Sequence, residues 1–297
     1  MDKEVLDSYF KAAKVWKACI TLAKKKAKED VKLLDLAKDL ESAMNEDGCS
    51  PAFPINLSIN EEAAHFTPTW NDTATLKKTD LLKIDVGVQH NGYICDGAIS
   101  VNLDNKYAKQ IEANELALAN ALSVANFGKP VEKIGAEIES TLKDKGFEPV
   151  RNLGGHGLKQ YNIHANPSIP NHSKGSSQTL EEGVIAIEPF ASTGEGLVRE
   201  VTSVEIFSLD HSTGVRNPHA RELIKLAGEY KELPFAERWL RGKTKLSDFA
   251  VTIGLKELIK TGCFHAYPGL KESKGAIVSQ VEKSLIILED KTIVLGE

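Results

Sequence analysis

Two aspartates set inside apolar strand sequence constrain this chain more than any other feature. Asp85 lies in Leu81-Leu82-Lys83-Ile84-Asp85-Val86-Gly87-Val88, and Asp96 in Tyr93-Ile94-Cys95-Asp96-Gly97-Ala98-Ile99-Ser100-Val101. Aspartate is a poor strand former. The segment between the two arms, His90-Asn91-Gly92, contains Asn-Gly, the strongest short hairpin signal. Side chains alternate across a strand. With Asn91-Gly92 as a two-residue turn, Asp85 faces Ala98, Asp96 faces Gly87, and the two aspartates are diagonal neighbours on one face. A turn shifted to His90-Asn91 sets them directly opposite. Either register places the carboxylates roughly 5–8 Å apart; a three-residue loop separates them. Like charges side by side on a half-buried surface are unfavourable unless one protonates or a cation lies between them. The plain alternative is a solvent-facing surface on which both are hydrated.

Further carboxylates favour the cation. Glu188 follows the apolar run Gly183-Val184-Ile185-Ala186-Ile187, and Glu282 sits in Ala276-Ile277-Val278-Ser279-Gln280-Val281-Glu282, where Gln280 shares its face. Each alone reads as a strand-end charge reaching water; four acidic residues in four apolar strands need another account. His156, in Gly154-Gly155-His156-Gly157, reads as a loop histidine whose flanking glycines permit close backbone approach. One imidazole and four carboxylates suit divalent Mn, Fe, Co or Zn better than a thiolate-seeking ion. Four negative charges match two such ions, and a pair about 3.5–4 Å apart lowers the pKa of a shared water.

The rest of the chain supplies a scaffold. Its 297 residues are enough for a large core. Helical spacing of apolar residues predicts two helices over 3–46, then an extended stretch from Pro51 to Ile59 and a polar loop from Asn60 to Thr79. Two more helices are predicted over 106–127 and 131–145, followed by strands GVIAIEPF and VTSVEIFSL and a closing strand pair, GAIVSQVEKSLIIL and TIVL. A helix pair with strands thus occurs twice, hinting at two related halves. Residues 213–266 break the rhythm. They are helical in pattern, open on Asn217-Pro218 as cap and first turn, and hold ten Lys and Arg against six Asp and Glu. Leu223, Leu226, Phe235, Trp239 and Leu240 are the expected core of this inserted unit.

Several classes are set aside. No apolar run approaches the ~20 residues of a membrane span, and the N-terminus has no secretory signal core. The four cysteines are scattered, with no Cys-x-x-Cys pair, which argues for reduced thiols and a cytoplasmic protein. The net charge of −5 gives no global field for nucleic acid, so DNA is not an expected partner. No phosphate loop, nucleophile elbow or His-Glu-x-x-His is present.

The ordered segments AFPINLSINEEAAHFTP (52–68), KIDVGVQHNGYICDGA (83–98), GGHGLKQYNIHA (154–165), AIEPFAS (186–192), LPFAERWL (233–240) and YPGLKESKGAIVSQVEKSLI (267–286) together resemble the type II methionine aminopeptidases, of archaeal kind. The resemblance implies an α/β pita-bread fold, with residues 1–212 and 267–297 as the catalytic domain and 213–266 as a helical insertion. It implies that Asp85 chelates one metal, that Asp96 and Glu282 bridge two, and that His156 and Glu188 bind the second. It further implies that His164 polarises the scissile carbonyl, that His65 lies by the substrate backbone, and that Glu188 shuttles the proton. Phe53, Ile163 and Tyr267 would line the methionine compartment. The implied substrate is the N-terminus of a nascent polypeptide whose second residue is small, cut by a monomer at two divalent ions. In one place the chain departs from the pattern: Lys283 stands where the family often has histidine, and strand alternation points it away from Glu282. Rival readings are an Xaa-Pro dipeptidase, which usually carries a sizeable extra N-terminal domain, and a ribosome- or RNA-binding relative, which tends to lose ligands. The basic insertion reads as a solvated helical face, with a transient ribosome contact as the alternative.

Overall fold

The computed structural model describes residues 1–174 and 177–297. The hairpin predicted from Asn-Gly is its centre. Strands Leu81–His90 and Tyr93–Asn102 pair antiparallel with Asp85 opposite Ala98, Gly87 opposite Asp96 and His90 opposite Tyr93. The two turn residues, Asn91 and Gly92, take φ of 52° and 85°, the left-handed pair that a tight hairpin needs. The outer edge of Leu81–His90 carries Cys49–Pro51 and Asn56–Ile59.

Helix α1 (Lys3–Lys26) lays Tyr9, Ala12, Ala13, Trp16, Cys19, Ile20 and Ala23 against this hairpin. α2 (Leu33–Ala43) adds Leu36, Ala37 and Leu40 to the same core. Burying one such large apolar side chain stabilises by about 1.5–3 kcal/mol. A second helix pair, α3 (Ala108–Val124) and α4 (Val131–Asp144), covers a five-stranded sheet ordered Thr292–Val294, Lys283–Ile287, Gly183–Ile187, Gly154–Lys159, Asn162–Pro170. Ile134, Ile138 and Leu142 meet Ile185, Ile187, Leu285 and Ile287 there. Each half is thus a helix pair over strands, as the repeated rhythm suggests. They join where Glu282 exchanges backbone hydrogen bonds with Ala98, at 3.0 and 3.4 Å. Ser284 Oγ also bridges the backbone N–H and C=O of Asp96.

A third sheet joins Arg199–Leu209 to Phe264–Lys271, Phe235–Ala236 and Glu62–Ala64. Glu62–Ala64 lies within the stretch expected to be loop; its pairing partner is some 200 residues away, so no local signal marks it. Helices α5 (Pro218–Ala227), α6 (Glu237–Lys243) and α7 (Asp248–Lys260) follow. Asn217 caps α5 through its side chain, with Pro218 at the first position. Leu223, Phe235 and Leu240 are buried among these helices, with Leu226 and Trp239 packed against them, and the same cluster takes in Phe207 and Phe264 from the sheet. The strand Phe264–Lys271 begins inside the segment read as insertion, with Ala266 opposite Phe207.

Candidate active site

Asp85 and Asp96 open onto one cavity together with His156, Glu188 and Glu282, and Phe53, His65, Ile163, His164 and Tyr267 line it as well. The two glutamates arrive there by a break in the sheet. Ile187 pairs with Lys283, and Phe190 with Gln280, but the two ladders belong to different sheets. Glu188 and Glu282 lie in the gap between them, beside Pro189, which has no N–H to donate. Neither glutamate is inside a strand, contrary to the expectation from sequence. The interruption frees both side chains to turn toward the aspartates.

His156 is likewise not in a loop. It sits in Gly154–Lys159, flanked by Ser168 on one strand and Ala186 on the other. The neighbouring glycines serve close packing: a Cβ on Gly155 would lie 2.1 Å from the Ala186 carbonyl oxygen. His156 Nδ1 lies 3.4 Å from the Gly157 carbonyl. A carbonyl only accepts, so Nδ1 carries the proton and Nε2 keeps its lone pair. That Nε2 stands 3.9 Å from both Asp96 Oδ2 and Glu188 Oε1. Burial lowers the His156 pKa to about 4, so the imidazole is neutral, as a metal ligand must be.

The carboxylates are strained by one another. Burial pushes Asp85 up to about 7. Burial, then the Asp85 charge, raises Asp96 well above the carboxylate range. Glu188 and Glu282 move the same way for the same reasons. The buried Oδ1 atoms of Asp85 and Asp96 have no hydrogen-bond partner among the described residues. Asp96, His156 and Glu282 each present a ligand atom within 4.8 Å of the others. Four crowded carboxylates, two unpaired oxygens and a neutral imidazole fit divalent metal.

Two neighbours of this group were not assigned a role from sequence. Gln280 Nε2 reaches Asp85 Oδ2 at 3.5 Å and Glu188 Oε2 at 3.4 Å, linking the halves. Asn56 is paired opposite Asp85 and lines the cavity. Strand alternation flagged Gln280 as sharing the face of Glu282, but no local signal marks Asn56.

His65 and His164 also line the cavity. His65 has a left-handed backbone, φ 62°, and its Nδ1 donates to the Pro268 carbonyl at 3.2 Å, leaving Nε2 as an acceptor. Burial lowers its pKa. His164 stands edge-on to His156, ring centres 4.9 Å apart. Although the residue is solvent-exposed, burial of its ring and, after it, the neighbouring His156 and His65 rings, which disfavour a further proton here, lower its pKa. Phe53 packs against Gly87, where a Cβ would fall 2.1 Å from its ring. Ala64, Leu153, Phe190, Ile206 and Pro234 complete the apolar lining; none was singled out from the sequence.

Lys283 points away from the cavity. Its ammonium lies 4.5 Å from the centre of the Trp16 ring, and the Trp16 indole N–H donates to the Gly97 carbonyl at 3.2 Å.

Residues 7–216 match the family model described as metallopeptidase family M24. The methionine aminopeptidase of Pyrococcus horikoshii is 42% identical over 295 residues, covering 98% of this chain and 99% of that protein. Among solved structures, a thermophilic Arx1 superposes with a TM-score of 0.85 at 16% identity, covering 100% of this chain and 91% of the other. The methionine aminopeptidase from Rickettsia prowazekii gives 0.71 at 18% identity, covering 100% and 98%. The last two likenesses establish the mixed α/β pita-bread fold, and the near full-length identity to the Pyrococcus protein establishes kinship. The chain therefore belongs to metallopeptidase family M24, as a metal-dependent hydrolase of the methionine aminopeptidase family with the archaeal, type II-like character of its relatives.

Proposed function

We propose that this chain removes the N-terminal methionine from nascent polypeptides whose second residue is small, using two divalent cations. The observation that carries the reading is the convergence of four carboxylates and one neutral imidazole on a single cavity that His65, His164 and apolar side chains also line. Asp85 would hold one ion, His156 and Glu188 the other, with Asp96 and Glu282 shared. The cations supply Lewis acidity and make water nucleophilic near neutral pH.

The remaining steps belong to the side chains. His164, neutral and at the cavity mouth, donates a hydrogen bond to the oxygen that becomes negative as the carbonyl is attacked. His65 offers an unprotonated Nε2 to the substrate backbone near the leaving nitrogen. Glu188, steadied by Gln280, accepts the proton of the attacking water and passes it to the leaving amine. Phe53, Ile163 and Tyr267 receive the methionine side chain. We further read residues 213–266 as the inserted helical subdomain of the type II branch, the protein as a cytoplasmic monomer, and any ribosome contact as transient. Among the described residues no helix is long and apolar enough to cross a membrane.

The test is reconstitution. Chelator-stripped protein is given Mn, Co, Fe or Zn and offered Met-Ala-Ser, Met-Lys-Ser and Ala-Pro. Metal-dependent cleavage of Met-Ala-Ser alone is expected. Cleavage of Ala-Pro moves the activity to a dipeptidase. Two bound ions with no cleavage of any peptide overturn the enzymatic reading.

A further inference from the structure

Three consecutive residues of the segment before α6 enter three different environments. Leu233 is buried in the core that α1 and α2 share with the central hairpin. Pro234 lines the active-site cavity. Phe235 is buried in the core of the helical segment itself. Pro234 is therefore a piece of cavity wall whose position depends on how the helical segment seats against the rest of the molecule.

The seat is made by Arg238, the second residue of α6. Its side chain is 4% exposed, and it is not among the residues that line the cavity. Nη1 donates to Thr67 Oγ1 at 2.7 Å and to the Pro68 carbonyl at 3.0 Å, and Nη2 donates to Glu41 Oε1. Glu41, from α2, also accepts from the backbone N–H of Ile55 at 3.3 Å and from the indole N–H of Trp239 at 2.9 Å. Thr67 Oγ1 in turn donates to the Ile55 carbonyl at 2.6 Å. Both ends of this network grip the stretch 53–67, and Phe53, Asn56 and His65 of that stretch line the cavity.

We infer that Arg238, clamped by Glu41, is a positioning residue that sets the spacing between Pro234 and the Phe53–His65 stretch, and thereby the fit of the substrate's first side chain. This rests on the aminopeptidase reading. A buried ion pair contributes little net stability against a well-packed apolar pair. What a guanidinium provides is a planar fork with several donors in fixed directions, and here the fork ties three separate stretches of chain at one point. Lysine at the same place keeps the charge and loses the fork.

The experiment compares the metal-loaded parent with Arg238→Lys, Arg238→Met and Glu41→Gln. Turnover of Met-Ala-Ser and Leu-Ala-Ser is measured, with calorimetric binding of free methionine and free leucine and metal content alongside. Expected for Arg238→Lys are unchanged metal content, kcat within a few-fold, a KM for Met-Ala-Ser raised about 10-fold, and a methionine-over-leucine preference reduced by a similar factor in both turnover and binding, the size of a one-methylene misfit. Glu41→Gln, which keeps one oxygen able to accept from Ile55 and Arg238 but turns the one facing Trp239 into a donor and removes the charge, is expected to fall between parent and Arg238→Lys. If Arg238→Met fails to fold, the other two variants decide. A parental methionine-to-leucine ratio in any folded variant, with only the melting temperature lowered, overturns the inference. A parent that binds methionine selectively but cleaves neither peptide defeats the aminopeptidase reading and leaves the binding comparison to judge Arg238 alone.

Discussion

The two sides of the cavity are built by different means. The metal-facing side rests on strand ladders: the pairing of Leu81–His90 with Tyr93–Asn102 fixes Asp85 and Asp96. The ladders on either side of Glu188 and Glu282 fix those two. The other side is gathered more loosely: Ile206 and Tyr267 face each other on one ladder, but His65 follows a short strand and Pro234 lies in a connecting segment. Crowded charges must be held within fractions of an ångström to share cations, and rigid strands do that. A side-chain compartment tolerates more latitude, and connecting segments such as those of His65 and Pro234 can complete it.

The contrast predicts that damage on the metal-facing side is total and damage opposite is graded. Asp96→Ala should abolish turnover and lower metal content, checked by steady-state assay and elemental analysis. It should also spare the metal-free protein: with Asp96 gone, Asp85, Glu188 and Glu282 lose a repelling neighbour. In chelator, then, the variant should melt no lower than the parent. Normal turnover in Asp96→Ala would dissolve the contrast altogether.

Next to His156, His164→Ala should retain its metals and lose rate by roughly 10²-fold, the cost of removing one oxyanion donor. Loss of metal from this variant would show that His164 belongs functionally to the metal-facing side.

What could be read in the sequence follows the same division. The register of the hairpin is local: alternation, two misplaced aspartates and an Asn-Gly turn determine which side chains share a face. The glutamates were visible as charges out of place, although the ladder break that presents them was not, because it is created by two strands more than ninety residues apart. His156 was marked by its glycines, yet its strand is stabilised only by partners on both sides. Asn56, Ile206 and Pro234 are ordinary residues in ordinary surroundings until tertiary contacts bring them to the cavity. The link from Glu41 to Arg238 spans 197 residues, and no spacing rule connects them.

Behind the compartment side, Glu205 offers a pH-dependent comparison. It precedes Ile206 on Arg199–Leu209. Burial first, and then the Glu237 charge, raises its pKa from 4.5 to about 7, against the opposing pull of Arg238 and Arg241. The folded state therefore holds this proton more tightly than the unfolded chain between about pH 4.5 and 7. Across that window the stability contributed by Glu205 falls as pH rises, and above 7 the cost of the buried charge is fully present. Glu205→Gln should match the parent near pH 4 and melt higher at pH 8. The gain should be well below the ~1.4 kcal/mol per pH unit of a fully enclosed site, since the carboxyl is partly open to solvent. A variant that melts lower than the parent at pH 8 would mean that Glu205 is a net partner of the two arginines.

The smallest effect belongs to Lys283, immediately beside a proposed ligand in sequence yet on the far side of the strand. Its ammonium rests on Trp16, and Trp16 hydrogen-bonds the carbonyl of Gly97, next to Asp96. Lys283→Ala removes the cation from the ring and leaves the indole hydrogen bond in place. The expected loss is about 0.5–1 kcal/mol of stability, with metal content and kcat unchanged. Trp16→Phe keeps an aromatic surface but deletes the bond to Gly97, and should weaken metal binding where Lys283→Ala does not. Equal metal affinity in the two variants would show that the ladder alone positions Asp96. A weakened Lys283→Ala would extend the metal-facing side one layer outward, to the helix that covers it.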